Sequence, residues 1–153
     1  MASTISGRCH CSAEQIQRYR KRISGPLLDR IDIQVEVLRP KGSILSKPTA
    51  AIESSTTIRS RVIEARHTQL KRAGKANAFL SGPELTSFCE IRDDTLELLE
   101  RAVRQLFLSP RACHRILKVA RTIADLDFNQ KINTHHVAEA IAFRRINTAG
   151  NNL

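Results

Sequence analysis

One arginine, Arg30, stands where a cation can reach a partner. The segment GPLLDRID places Gly25-Pro26 before it, and residues 31–38, which alternate largely between apolar and polar side chains, follow it. Alternation with a period of two is typical of a strand, and Gly-Pro ends a preceding helix. Arg30 is therefore predicted on a tight corner between a helix and a strand, facing outward. The alternative is a surface arginine paired with Asp29 or Asp32.

A second arginine, Arg111, opens a long predicted helix. Ser109 supplies a capping hydroxyl and Pro110 occupies the first helical position. A cation at the positive end of a helix opposes the helix dipole, so this placement favours a functional reason. The alternative is an exposed first-turn residue without a role.

Further basic residues follow Arg111 on the same helix. Arg115 and Lys118 continue its basic face, which, together with the helix at 55–73, is a candidate contact for DNA. A run of charge is more often a solvated face, and with 4% aromatic residues the chain offers no stacking platform for single strands. Arg115 and Lys118 are therefore weak candidates for nucleic-acid binding.

The cysteines do not complete a metal site in this sequence. Cys9 and Cys11, with His10 between them, fall short of the four ligands of structural zinc. Cys89 and Cys113 lie in apolar helical surroundings and are predicted as core thiols.

Two adjacent histidines, His135 and His136, are predicted as helix-surface residues. Neighbours in a helix point to different sides, which argues against a shared metal. No metal site is expected in this chain.

The composition favours a polyanion as partner. The 153 residues carry a formal net charge of +10, and 41% of them are hydrophobic. This length allows one medium domain with a core, and the positive excess favours nucleic acid or nucleotide phosphates over an acidic lipid surface. No apolar run approaches the roughly 18 residues that span a bilayer, and no signal peptide opens the chain. A cytoplasmic protein without membrane association is expected.

The elements that position these residues are mostly helices. A capping box at Ser12 and Gln15 predicts a first helix up to about Ile23. Further helices are predicted from apolar spacing and caps at 55–73, 83–89, 93–107 and 110–126, and from the cap Thr134 to about Phe143. The predicted buried stripes include Ile58, Val62, Ala65 and Gln69 in the first of these, Leu96, Leu99, Val103, Leu106 and Phe107 in the third, and Ala112, Ile116, Val119, Ala120 and Ile123 in the fourth.

The predicted fold is mainly α. A bundle of four to five helices at 51–147 follows a helix-strand unit at 1–38, with a linker at 39–50, where prolines exclude a regular element, and a fraying tail at 148–153. A lone strand lacks neighbours for its backbone hydrogen bonds. Either the chain is a piece of a larger α/β protein, or residues 31–38 stay extended and mobile.

Several motifs carry a resemblance to a known family. They are CHCSAEQIQRYRKRISGPLLDRIDIQVEV, IRSRVIEARHTQ, FC, LSPRACHRILKVARTIADLD and HHVAEAIAFRR, and they cover nearly everything from Cys9 to Arg145. In these motifs the chain resembles the C-terminal third of the magnesium-chelatase-like AAA+ ATPases of the ComM/YifB type. The resemblance implies that residues 1–38 end the AAA+ core, poorly ordered in isolation, and that residues 51–147 form its α-helical lid.

The resemblance implies a ring-forming ATP hydrolase whose P-loop and Walker B residues lie upstream. No G-x-x-x-x-G-K-[ST] motif occurs in the 153 residues, so this chain alone is not expected to hydrolyse ATP or to need a cofactor. ATP and Mg²⁺ are expected in the full-length protein. That protein is expected to form a homo-oligomeric ring, a hexamer, which acts on DNA in recombination or transformation.

Two arginines match positions with known roles in this family. Arg30 in GPLLDRID matches the arginine finger, which reaches the γ-phosphate of a neighbouring subunit. A rigid planar cation supplied in trans suits a transition state with charge spread over phosphoryl oxygens. Arg111 in LSPRACHRI matches the second-sensor arginine, which faces the nucleotide of its own subunit. Family members carry another cysteine pair upstream, with which Cys9 and Cys11 would complete four thiolates.

Two alternative functions stay open. A free-standing basic helical module that binds nucleic acid explains the charge and the bundle, but neither the orphan strand nor the GPLLDRID corner. A magnesium chelatase subunit, which inserts Mg²⁺ into a porphyrin, shares the fold. The cysteine pair and the ARTIADL helix favour the ComM/YifB branch.

A salt titration of duplex DNA binding separates the first alternative from the ATPase fragment. The fragment is expected to bind DNA weakly at physiological salt. A dedicated module binds tightly there and loses affinity steeply as salt rises, because each phosphate contact releases a counterion. Fluorescence anisotropy with a labelled duplex measures both the affinity and the slope, and tight, steeply salt-dependent binding would favour the module.

Overall fold

The protein is helical in the residues that its computed structural model describes, which are 11–20, 22, 25–37 and 53–144. The helices are α1 (Ala13–Arg20), α2 (Gly25–Leu28), α3 (Ser55–Ala73), α4 (Gly82–Phe88), α5 (Asp93–Leu106), α6 (Pro110–Leu126) and α7 (Thr134–Ala142), with a 3₁₀ turn at Asn77–Phe79. The predicted helical class is confirmed. The predicted linker at 39–50 and tail at 148–153 lie outside the described residues. Within the described part, no helix is both long and apolar enough to cross a membrane.

The N-terminal segment differs from its prediction in two places. The capping box of α1 is formed, since Ser12 N–H donates to Gln15 Oε1 at 2.8 Å and Gln15 N–H donates to Ser12 Oγ at 3.2 Å. Gly25, predicted to stop a helix, begins α2 instead. The predicted strand is not formed over residues 31–37, because no described segment supplies a neighbouring strand.

Local caps fix where the bundle helices begin and end. Ser54 accepts the N–H of Thr57 at the start of α3, and Gly74 ends that helix at φ 68°, a left-handed conformation that glycine adopts without a Cβ clash. Ser81 and Glu84 form the predicted capping box of α4. Hydrogen bonds from Lys75 and Ser81 lower the pKa of Glu84 to about 2.

Helix α6 is the centre of the bundle. It packs against α3, α4 and α7, while α5 packs against α7. The predicted stripe of α6 is buried throughout, with Ala112, Ile116 and Ala120 wholly inaccessible. Each large aliphatic side chain buried in this way contributes about 1.5–3 kcal/mol relative to exposure. The small residues on the stripe let neighbouring helices approach closely.

Two other predicted stripes are only partly buried. In α3, Ala65 and Gln69 are buried. Ile58 and Val62 belong to residues 53–64, all of which are exposed. Phe107, predicted in the core, is 93% exposed. It is the left-handed C-cap of α5 at φ 49°, so it has left the helical periodicity on which the prediction depended.

A buried carboxylate, Asp125, joins α3 to α6. Its oxygens accept from Arg72 Nη1 at 2.7 Å and Nη2 at 2.6 Å, from Arg121 Nε at 3.2 Å, and from Asn77 Nδ2 at 2.9 Å. The Asn77 N–H donates to Gln69 Oε1, which explains why that polar residue of the α3 stripe is buried. Burial lowers the pKa of Arg121 and the charge of Asp125 raises it. The charged form of Arg121 is therefore stabilised by its contact with Asp125.

Asp125→Asn is expected to lower the free energy of unfolding by about 3–5 kcal/mol, because it leaves a buried arginine without its counter-charge. Urea unfolding followed by circular dichroism measures the change. The matched control is Glu97→Gln, whose pair with Arg101 is exposed and is expected to change stability by less than about 1 kcal/mol. Equal losses in the two variants would contradict a special role for the buried carboxylate.

Candidate functional site

Arg30 lies on a tight turn directly after α2. Its N–H donates to the Leu27 carbonyl at 3.0 Å, and the Ile31 N–H donates to the Leu28 carbonyl at 3.1 Å. The Arg30 side chain is exposed. The predicted corner is therefore present, but it joins a helical turn to irregular chain.

The corner is attached to the helical bundle on one side by Arg144, which follows α7, and by Ser109 at the start of α6. Arg144 Nη2 donates to the carbonyls of Asp29 and Ile31 at 3.3 and 3.2 Å, and Ser109 Oγ donates to Asp29 Oδ2 at 3.3 Å. The Gln34 N–H, three residues further along, donates to the Phe143 carbonyl at 3.0 Å. These bonds fix the backbone on both sides of Arg30.

Arg115 of α6 fastens the same corner from a second direction. Its Nη1 donates to the Arg30 carbonyl at 2.7 Å and forms an ion pair with Asp32. The alternative pairing of Arg30 with Asp29 or Asp32 is not formed between these described residues. The guanidinium of Arg30 is thus left facing outward while its backbone is held.

Arg30 and Arg111 line one open depression, of about 350 Å³, together with Pro26 and Asp29. Arg111 comes to this place because Ser109 caps α6, accepting the Ala112 N–H at 3.2 Å. The positive end of the α6 dipole adds to the two guanidinium charges. The arrangement suits an anion, since a guanidinium group can bind two phosphate oxygens at once.

The carboxylates near the corner favour the charged form of Arg144. Burial lowers the pKa of Arg144, and the carboxylates of Asp29 and Asp32 raise it. An arginine guanidinium stays protonated in proteins, so Arg144 balances the negative charge beside the depression. Asp29 therefore opposes an incoming anion less than a free carboxylate would.

A second depression of about 220 Å³ adjoins the first and shares Arg111 with it. Asp32, His114, Arg115 and Lys118 also line it, together with Ala78, Leu80, Gly82 and Leu85. Lys118 Nζ donates to the Ala78 carbonyl at 3.0 Å. Both predicted nucleic-acid contacts, Arg115 and Lys118, thus have acceptors within the chain, and a DNA phosphate would compete with those. Their role in DNA binding stays a prediction.

The two adjacent histidines are not both on the surface as predicted. His136 is fully buried, its ring centroid lies 3.8 Å from that of His135, and the two Nε2 atoms lie 3.3 and 3.7 Å from Asp127 Oδ2. The prediction was wrong for His136 because it is residue N3 of a capping box: Asn133, rather than the predicted Thr134, caps α7. Its Nδ1 accepts the Asn133 N–H at 2.9 Å.

That capping bond makes the cluster of Asp127, His135 and His136 a poor metal site. An Nδ1 that accepts a hydrogen bond carries no proton, so the neutral ring carries its proton on Nε2. A metal bound at Nε2 would need the opposite tautomer and would break the cap of α7. These three side chains are therefore better described as a polar cluster at the start of α7.

Two of the cysteines in the described part, Cys89 and Cys113, are protected from reaction by burial. Cys89 is buried in the core, as predicted, whereas Cys113, also predicted as a core thiol, is only half-buried and lies outside the core cluster. Burial raises the pKa of Cys89 to about 11 and also raises that of Cys113, so both stay protonated thiols at neutral pH. Cys11 is exposed, and Cys9 lies outside the described residues.

Sequence reasoning missed Arg144 and the contacts that Arg115 makes with the corner around Arg30. Arg144 follows α7 in a short basic stretch that looks like a solvated helix end, and yet it is 5% exposed. The carboxylate of Asp32 is a sequence signal for its partner Arg115, but Arg144 donates to backbone carbonyls, which no side-chain pattern marks. The partner arginines are more than 80 residues away in sequence, so no local pattern connects them.

Comparison with known proteins places both parts of the chain in one group. Residues 52–144 match the family described as magnesium chelatase, subunit ChlI C-terminal, and residues 1–45 match magnesium chelatase, subunit ChlI. The chain is 46% identical over 136 residues to YifB of Escherichia coli (strain K12), a match that covers 89% of this chain and 27% of YifB.

Two further relatives agree with this assignment. The competence protein ComM of Haemophilus influenzae is 46% identical over 134 residues, which cover 87% of this chain and 26% of ComM. Rv2897c of Mycobacterium tuberculosis is 34% identical over 141 residues, which cover 90% of this chain and 28% of that protein. The chain thus spans about a quarter of the length of the curated relatives it matches.

The buried His136 is expected to make stability depend on pH. Burial and then the neighbouring His135 lower its pKa from the ordinary 6.5, while Asp127 raises it. The unfolded chain therefore takes up the proton first, and stability present above pH 6.5 is lost as the pH falls toward the folded pKa.

His136→Gln is expected to weaken this pH dependence, because a glutamine at N3 keeps the capping bond without titrating. Urea midpoints between pH 5 and pH 8 measure it. The control His67→Gln, on the exposed face of α3, should follow the parent curve. A parent-like slope in the His136 variant would contradict the assignment.

Proposed function

The chain belongs to the magnesium chelatase subunit ChlI family, and on this premise we propose that it is part of an oligomeric ATPase in which Arg30 and Arg111 contact a nucleotide phosphate. The observation that supports this most directly is their shared depression. Two guanidinium groups on one open surface, beside the start of a long helix, offer the charge and geometry that a transferring phosphoryl group requires.

The rest of the nucleotide site would come from other parts of the protein. The sequence holds no P-loop, and the chain corresponds to about a quarter of YifB or ComM. We therefore propose that ATP and Mg²⁺ bind to an upstream segment of the full-length polypeptide. This chain would add arginines to a site assembled between subunits, which makes hydrolysis depend on forming a ring, a hexamer in our proposal.

The common depression supports one phosphate as the target of both arginines. The sequence motifs match an arginine finger at Arg30, which acts on the neighbouring subunit, and a sensor at Arg111, which acts on its own subunit. Both arginines line one depression of about 350 Å³, which supports a shared anion as their target. We propose that Arg111 joins Arg30 at the neighbour's nucleotide.

The biological substrate is proposed from charge and relationship. ComM is named a competence protein, and this chain has a net charge of +10. We propose that the assembled ATPase acts on DNA during recombination or transformation, in the cytoplasm. A free-standing nucleic-acid module is supported less well, because Arg115 and Lys118 donate to acceptors within the chain.

In the full-length protein, Arg30→Ala is expected to lower ATP turnover about 10³-fold or more while leaving ATP affinity nearly unchanged, because the finger acts on the transition state. A coupled phosphate-release assay measures turnover, and fluorescent ATP-analogue titration measures affinity. The control is Arg59→Ala, an exposed arginine on α3. Normal turnover in the Arg30 variant would exclude the finger.

Mixed oligomers reveal which subunit's nucleotide Arg111 contacts. If both arginines act on the neighbour, a mixture of Arg30→Ala and Arg111→Ala subunits stays inactive, because neither subunit carries both groups. If Arg111 acts on its own nucleotide, the mixture regains activity. Each variant mixed with subunits that carry a disabled P-loop should regain activity in the first case, which confirms that the subunits exchange.

A further inference from the structure

The corner that carries Arg30 is held mainly through its backbone. Arg144 and Arg115 donate to three successive carbonyls, those of Asp29, Arg30 and Ile31. Arg115 also pairs with the Asp32 side chain. No residue in this set uses the guanidinium of Arg30, which stays available for a ligand.

The same bonds set the position of Arg30 relative to Arg111. Arg115 lies four residues after Arg111, one turn further along α6, and Ser109 lies two residues before it. The end of α6 that presents Arg111 is therefore also the surface to which the corner is attached. Any loosening of this attachment would separate the two arginines that share the depression.

Burying the charge of Arg144 costs free energy that its contacts largely fail to recover, so stability alone does not explain why it is buried. The residue is 5% exposed, and its Nε is buried without a hydrogen-bond partner in the described residues. A buried charge of this kind adds little net stability, because desolvation offsets most of what its contacts contribute. Its contacts do, however, fix one geometry for the corner.

We propose that Arg144 and Arg115 are positioning residues that hold Arg30 beside Arg111, so that both guanidinium groups reach one phosphoryl group. This inference rests on the proposed function. It assigns Arg115 a structural target within the chain instead of a DNA phosphate. A misplacement of about 1 Å can cost about 10²-fold in rate, so a loose corner would lower turnover without removing a catalytic group.

The attachment is tested first on this chain by amide hydrogen exchange. The amide of Gln34, which donates to the Phe143 carbonyl, reports whether the segment stays on the bundle. Arg144→Met and Arg115→Met keep side-chain bulk without donors, and each is expected to speed exchange at this amide at least about ten-fold, because each variant loses two charged hydrogen bonds to the corner. The control Arg101→Met, on the exposed surface of α5, should leave it unchanged. Unchanged exchange in both test variants would overturn the inference.

Turnover in the full-length protein is the second readout. Arg144→Met and Arg115→Met are expected to lower kcat about 10²-fold with little change in KM for ATP, because in the proposed function the upstream segment supplies most of the affinity for ATP. Arg115→Lys keeps a charged donor for both acceptors and should recover most of the turnover. If one methionine variant fails to fold, the other still decides.

The outcomes separate this inference from the proposed function. If Arg30→Ala is inactive but both methionine variants turn over normally despite faster exchange, positioning is overturned and the proposed function stands. If Arg30→Ala is active, the proposed function fails and positioning fails with it. If Arg115→Met weakens DNA binding but leaves kcat unchanged, Arg115 is a nucleic-acid contact and the inference is overturned.

Discussion

The carboxylate of Asp125 is the constraint on which the rest of the bundle depends. It sits wholly buried on α6 between arginines of α3 and of its own helix, so the two helices can meet in only one register that leaves no charge unpaired. Apolar packing alone would tolerate small slides along the α6 stripe, because hydrophobic contact is non-directional. The ionic network removes that freedom.

Fixing α6 has consequences at its other end. The helix starts with the cap Ser109 and presents Arg111 in its first turn, at the opposite end from Asp125. Because α6 is central and rigid, its first turn can serve as a platform to which the corner around Arg30 is attached. The positions of the candidate site residues therefore depend on the packing of the core, although Arg30 and Arg111 are themselves exposed.

Local patterns predicted the helices well and the attachments poorly. Caps such as Ser109-Pro110 and Ser81 with Glu84 have a local cause, and the α6 stripe follows from helical geometry. Contacts such as Arg72 with Asp125, which are 53 residues apart, or Arg144 with the carbonyl of Asp29, which are 115 apart, leave no local signature. The alternation after Arg30 indicated a strand, but a strand exists only where a neighbour supplies its hydrogen bonds. His136 shows that adjacency of two histidines does not determine the exposure of either.

The grip on the Arg30 corner acts on carbonyl groups, which every residue type possesses. Asp29 also accepts from Ser109 through its side chain, whereas Arg30 and Ile31 are held through their carbonyls. Substitution of Arg30 or Ile31 would therefore change the side chain displayed at the corner without removing these bonds to the bundle. The two gripping arginines have less freedom, since each must supply a charged side-chain donor. The shape of the corner thus depends on arginines remote in sequence, while the side chain displayed on it can be changed independently of that shape.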